Sequence, residues 1–317
     1  MKAMAWRLCD GAPQTVSPEA AVEPCEGLSW VHLEGSDQSI PDWLRDTAKL
    51  PSIVIGALTA TETRPRCEPM EEGAIVNLRG LAANPEEAAD SLASVRMYVT
   101  RGRVVSVSRV TLSALPAVQA KMEEGKLNDP GDLVTAIAVA ITKLLDPDVA
   151  ALGDSLDACE IELDARDSWR FRRAVSAARR TAIDYRRFVQ PQRDALERLA
   201  GLEVGWLDAS DRQHIAEAGD RFARMTEELE SIRERAALMH DQLTDMRAEL
   251  LDTRSLLVAV VALIFLPLTF VTGLLGMNVA GIPYADEPWA FSAVVGICVL
   301  MAAGLGGYFI RAHWFRR

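Results

Sequence analysis

The sequence predicts an α+β soluble part, a mixed sheet flanked by helices, that leads into a very long helix continuous with a membrane span, followed by a second span. Three observations predict it. Residues 256–275 (LLVAVVALIFLPLTFVTGLL) and 290–310 (AFSAVVGICVLMAAGLGGYFI) contain no charged side chain. At about 1.5 Å per residue each run reaches roughly 30 Å, the thickness of a bilayer's hydrocarbon core. Upstream, residues 1 to about 125 alternate between β-rich and helical stretches. From about Asp129 the pattern changes to long helices.

The β-rich stretches are 28–33 (LSWVHL), 74–78 (AIVNL), 95–99 (VRMYV) and 104–107 (VVSV), all heavy in β-branched or aromatic residues. The last two are joined by Thr100-Arg101-Gly102-Arg103. Gly102 supplies a positive φ there, so the pair reads as a hairpin. Residues 40–50 and 85–92 read as short helices. Pro130 suits a first helical turn, and Leu133, Ile137, Ala140, Ile141, Leu144 and Leu145 recur at helical spacing. A further helical stretch is expected from about Ala150 to Phe188, bounded by Pro191. Its arginines (Arg172, Arg173, Arg179, Arg180, Arg186, Arg187) read as a solvated face.

From about Ser210 to Leu275 the period does not break. Phe222, Met225, Leu229, Ile232, Ala236, Met239, Leu243, Met246, Leu250 and Thr253 step by three or four. This predicts one helix of about 65 residues, about 100 Å long. One apolar and one charged face make packing against other helices, including copies of itself, the natural outcome.

Composition narrows the function. The net charge of −11 argues against nucleic acid, whose phosphates an acidic chain repels. No GxxxxGK[ST] is present, so no ATP-binding loop of that kind is expected. The N-terminus lacks the apolar core of a signal peptide. Cys9, Cys25, Cys67, Cys159 and Cys298 show no CxxC spacing and read as reduced thiols. Arg247 and Arg254 precede the first span, and Arg311, Arg316 and Arg317 follow the second. The intervening loop carries Asp286 and Glu287 instead. The positive-inside rule then puts both termini in the cytoplasm, with Trp289, Tyr308, Trp314 and Phe315 near the interfaces.

A subunit with two spans cannot enclose a pathway, so several first spans must surround a shared axis. Thr269 and Thr272 offer hydroxyls to a cation's water shell, Pro267 loosens the helix, and a Leu266 ring makes an apolar constriction. The spans hold no His, Asp or Glu, which argues against an enzyme. A membrane-anchored sensor is the rival from another class.

The run LPLTFVTGLLGMN (266–278), closing a first span and followed by a short acidic loop and a second span, resembles the CorA family of divalent-cation transporters. The resemblance implies a homopentameric funnel in the inner membrane, with the first span lining the pore. Gly276, Met277 and Asn278 would form the ion-selecting mouth. Leu266, Thr269, Thr272, Gly273 and Asp252 would line or gate the pore, and Asp286 and Glu287 would attract cations. Val279-Ala280-Gly281-Ile282-Pro283 resembles the ZntB-type zinc branch, with Ala280 where a glycine is expected. Asn77-Leu78-Arg79-Gly80, Asn84-Pro85-Glu86 and Val95-Arg96-Met97-Tyr98 resemble it too. The cargo implied is Zn²⁺, with Mg²⁺, Co²⁺, Ni²⁺ and Cd²⁺ as further candidates, and proton coupling enters with that branch. A Mg²⁺/Co²⁺ channel is the alternative. No covalently bound cofactor is expected; the partners are the bilayer, divalent cations and further copies of the chain.

Zinc favours nitrogen and sulfur ligands. His214 with Glu217, and His240 with Asp241, are the candidate ligand pairs, since His32, His214, His240 and His313 are too dispersed for one site. Glu217, Asp220, Glu227, Glu228 and Glu230 are candidates for bridging ions between subunits. The expected organisation is an α/β subdomain (1–128), a helical region with stalk (129–254), the first span (255–277), a periplasmic loop (278–289), the second span (290–310) and a cytoplasmic tail (311–317).

Overall fold

The computed structural model describes residues 1–8, 12–61, 64–84, 86, 92–161, 168–277, 281–282, 284 and 287–314. Seven strands, β1 (Lys2–Leu8), β2 (Gln14–Thr15), β3 (Leu28–Glu34), β4 (Arg66–Met70), β5 (Gly73–Leu81), β6 (Leu92–Thr100) and β7 (Arg103–Ser108), form one sheet in the order β2-β1-β3-β7-β6-β5-β4. Only β3 and β7 pair in parallel. The others are antiparallel, so the sheet is mixed, as expected. The β6–β7 hairpin turns at Gly102, whose φ is 72°.

Alternation places the two faces. Ile75 on β5, Tyr98 on β6, and Val105 and Val107 on β7 point to α1 (Ser39–Asp46) and α2 (Ser52–Thr59), where Ile40, Leu44, Val54 and Leu58 close a buried core. After a short helix α3 (Leu115–Glu123), α4 (Pro130–Ile161) meets the opposite face of β5. Gly80 sits so near Ile141 that an added Cβ would come within 3.1 Å of it. The sequence stretch 85–92 falls mostly outside the described residues, and Leu92 at its end begins β6 rather than closing a helix.

His32 is fully buried in this sheet. Its Nδ1 lies 2.9 Å from Ser106 Oγ and its Nε2 3.2 Å from Ser108 Oγ. Ser106 Oγ already donates to Val31 O and accepts from Trp30 Nε1, so Nδ1 carries the proton. Burial lowers its pKa to about 4, and the ring is a neutral structural group.

Two helical expectations change. Helix α4 runs through Pro147, and α5 (Ser168–Ala200) begins afresh and runs through Pro191. Proline costs a helix one hydrogen bond, yet Phe188, Val189, Ala195, Leu196 and Leu199 are buried on both sides of Pro191. That packing keeps the helix going where propensity alone would stop it. Cys25 is disulfide-bonded, so the expectation of an entirely reduced set does not hold. The segment before β3 is drawn across the β6–β7 turn, where Cys25 N–H donates to Gly102 O at 3.4 Å. Sequence spacing carries no sign of that approach.

The sheet edge explains how α5 is held. β4 stops pairing with β5 at Asn77, so that Arg79, paired with Ser94 of β6 on its other side, lies beyond the end of β4. Gln192 of α5 replaces it: Arg79 N–H donates to Oε1 at 2.7 Å and Nε2 donates to Arg79 O at 2.8 Å. Gln192 itself is fully buried. Replacing it by leucine strands a buried donor and acceptor, and should lower stability by about 2–4 kcal/mol in denaturant unfolding.

Helix α6 (Ala209–Leu275) is 67 residues long and agrees with the periodic reading. Its start meets the start of α4, where Thr135 Oγ1 donates to Asp211 Oδ1 at 3.5 Å. Asp208 and Asp211 exchange backbone bonds, with Asp211 N–H donating to Asp208 Oδ1 at 2.7 Å and Asp208 N–H donating to Asp211 Oδ2 at 3.2 Å. Asp129 does the same service for Asp132 N–H at 2.9 Å. Burial, then repulsion from Asp129, Asp208 and Asp132, raises the pKa of Asp211 to about 6 against a cap bond that lowers it. A raised carboxyl pKa means the folded state holds its proton better, so this contribution to stability is present below about pH 4 and is lost as pH rises through 6. Asp211→Asn should therefore be the more stable chain above about pH 6.5, by roughly 2 kcal/mol, and the advantage should vanish toward pH 4. Thermal melts of both proteins across that range measure it.

Candidate ion pathway

Residues 241–317 form a compact unit of their own, holding the last turns of α6 and the second apolar helix, α7 (Ala290–Trp314). Both helices are long and apolar enough to cross a membrane, and the apolar window of neither is buried within the chain. Leu257, Phe265, Leu266 and Phe270 on α6, and Phe291 and Leu300 on α7, are exposed. Such a surface needs lipid or other chains around it.

The helical period decides which α6 residues share a side. At about 100° per residue, Asp252, Leu266, Thr269 and Gly273 fall within one arc about 100° wide. The half-buried positions Ile264, Pro267, Leu268 and Val271 fall on the opposite side. That is the side α7 covers, where Gly306 brings its backbone within reach of Ile264 Cδ1. α7 therefore leaves uncovered the stripe that holds four of the five lining candidates. Thr272 stands apart. It lines a cavity of about 650 Å³ with Leu268, Leu275, Phe291, Val295 and Cys298, facing the second helix.

The threonine hydroxyls are already committed as donors. Thr269 Oγ1 donates to Phe265 O at 2.8 Å and Thr272 Oγ1 to Leu268 O at 3.0 Å. What each leaves open is an acceptor oxygen, the polarity a cation's coordinated water requires. Pro267 has no N–H, so it cannot bond the carbonyl of Leu263. Gly276 extends the helical pattern, its N–H donating to Thr272 O at 2.9 Å, and Met277 is exposed. Asn278 and Asp286 lie outside the described residues; Glu287 is described, its N–H donating to Tyr284 O.

The candidate ligand pairs stay pairs. His214 is exposed, 3.5 Å from Ser210 Oγ, and Glu217 one turn on accepts from Gln213 at 3.2 Å. His240 lies in a groove with Arg179 and Arg180, surroundings that oppose a cation. Asp241 is exposed. Among the described residues no three His, Cys, Asp or Glu side chains gather in a metal-holding group. Of the stalk acids, Glu230 is held by Arg186 and Arg233, while Glu217, Asp220, Glu227 and Glu228 are exposed.

With this arrangement in view, comparison with known proteins is decisive. The family described as CorA-like Mg2+ transporter protein matches residues 26–311. The chain belongs to the CorA family of divalent-cation transporters. It is 29% identical over 293 residues to the zinc transport protein ZntB of Pectobacterium atrosepticum, covering 92% of this chain and 88% of that one. The full-length CmaX protein superposes with a TM-score of 0.81 at 29% identity, covering 99% and 98% of the two chains. The CorA magnesium transporter of Methanocaldococcus jannaschii superposes at 0.82 and 17% identity over 98% of each, a likeness of fold.

Cysteines placed singly at Leu266, Gly273 and Thr272, in a chain with Cys298 replaced, test the sidedness of α6 in this CorA-family protein. A charged, water-borne thiol reagent should block flux through the Leu266 and Gly273 variants. It should modify Thr272→Cys at least about tenfold more slowly.

Proposed function

We propose that this protein carries Zn²⁺ across the inner membrane through a pentameric pore lined by the stripe Asp252, Leu266, Thr269 and Gly273. The observation that carries the reading is the one-sided cover of α6: the second helix packs on the Pro267 side and leaves this stripe for a shared axis. Five copies around an axis turn each residue into a ring. Leu266 rings exclude water and form the gate, Thr269 rings offer acceptor oxygens, and Gly273 keeps the bore wide. Gly276, Met277 and Asn278 form the outer mouth. There, Asn278 carboxamide oxygens accept hydrogen bonds from the water shell of the ion without stripping it, and Asp286 and Glu287 raise the local cation concentration. Residues 1–128 and 129–254 constitute the cytoplasmic part, 278–289 the outward loop, and 311–317 a cytoplasmic tail.

Zinc is chosen on two supports: the GMN-V-A-G-I-P sequence and the zinc-transport relatives. Neutral oxygens suit passage of a hydrated ion better than tight capture, which agrees with the lack of a three-ligand cluster among the described residues. Neither apolar run holds a titratable carboxylate or histidine, so proton coupling runs through pore water. The family's magnesium description supports the one competing reading, a voltage-driven Mg²⁺ channel.

Flux into liposomes separates them. Zinc entry quickened by an imposed proton gradient, and reduced at least about tenfold by Asn278→Ala, supports the proposal. Magnesium entry driven by membrane potential alone would replace it with the channel. Flux of neither ion would return the chain to the sensor reading.

A further inference from the structure

The soluble unit contains a second concave site that ion transport does not use. A cavity of about 630 Å³ opens among β4, α5 and α6, and six arginines line it: Arg64, Arg66, Arg186, Arg187, Arg198 and Arg233. The size lies within the range that small-molecule sites occupy. The arginines come from three distant parts of an acidic chain, so their meeting is a product of the fold.

The charges around the cavity do not cancel. Glu230 holds Arg186 at 2.9 Å and also holds Arg233. Glu68 lies 3.1 Å from Arg66 Nε. Asp194, the one acid in the lining, is taken by Arg193 at 2.7 Å. That leaves Arg64 and Arg187 with no ion pair among the described residues, and Arg198 with a neutral partner, the Cys67 carbonyl at 3.5 Å. Arg66 Nε and Arg186 Nε are buried without a hydrogen bond, the Glu68 contact lacking the geometry of one. Burial pushes the Cys67 thiol up to about 12, so it adds no negative charge. Guanidinium groups gathered in a concavity, with donors left over, set up a positive potential that favours an anion there.

We propose that this cavity binds a free small molecule carrying two or more phosphoryl groups. Planar guanidinium forks match phosphoryl oxygens two at a time, and the arginines are spread around a space too wide for a single halide to satisfy. A chain of phosphoryl groups reaches several of them at once. Ile183, Pro65, Pro191 and Ala195 give the same cavity an apolar wall on which a nucleobase can lie. The net charge of −11 disfavours nucleic acid, whose long phosphate backbone would meet the acidic surface beyond this local concavity. The proposal stands whichever ion is transported.

The test is calorimetric titration of the full chain in detergent, free of divalent ions and at constant ionic strength in KCl. The probes are inorganic tripolyphosphate, ATP and AMP. Tripolyphosphate and ATP should bind saturably, and AMP at least about tenfold more weakly. The double variant R64A/R187A, and Arg198→Ala separately, should each weaken tripolyphosphate about tenfold or more while melting like the parent. Equal affinity for tripolyphosphate and ATP assigns recognition to the phosphoryl chain; tighter ATP adds the apolar wall. Absence of saturation overturns the proposal, as does unchanged affinity in both variants. Binding to vesicles containing cardiolipin, with no binding of tripolyphosphate or ATP, overturns it in favour of a lipid headgroup.

Discussion

One helix has to satisfy two solvents, and the rest of the structure follows from that. In its first half α6 buries Ile215, Ala218, Phe222, Met225, Leu229, Ile232, Ala236 and Met239 in a single stripe. Past Leu243 the burial ends, and after Arg254 every residue to Leu275 is uncharged. A helix meets its own backbone hydrogen bonds, so it is one of the few structures able to make this passage without a break. Its two halves differ in surroundings: the first is packed within the chain, and the apolar window of the second is left exposed by it.

Because α6 is continuous, its beginning has to be fixed by something other than its own length. The paired aspartates at the starts of α4 and α6 provide that. Four acids close together are costly, and the raised pKa of Asp211 records the cost. The return is a set of satisfied N–H groups at two helix ends that would otherwise lack partners. A similar economy appears where Gln192 completes the sheet edge at Arg79. In both places polar groups near the core are tolerated because each has a bonding partner.

In the span, function depends on what one helix leaves uncovered. α7 takes the side of α6 weakened by Pro267, and Gly306 allows the two backbones to approach. The opposite side carries leucine, threonine and glycine, and threonine and glycine are residues that let membrane helices approach closely. The arginine-lined cavity in the soluble part lies in a different unit of the chain and has a different chemistry. One carries uncharged and hydroxyl side chains along a helix stripe; the other gathers six arginines.

What the sequence determined by itself is whatever depends on neighbours along the chain. The two spans follow from run length, α6 from an unbroken three-and-four spacing, and the β6–β7 hairpin from Gly102 between β-branched runs. The Gly276-Met277-Asn278 motif needed only its position to suggest the family. What the tertiary structure decided depends on residues far apart. Pro191 looked like a helix end, and distant packing carried the helix through it. Arg66–Met70 is too polar and too short to read as a strand, and becomes one because β5 offers a free edge. Thr269 and Thr272 looked equivalent until the position of α7 separated them. Arg186 and Arg187 read as a solvated face because nothing local points to Arg64, Arg66 or Arg233. Local pattern sets which groups an element presents; only packing across the fold sets which groups they meet.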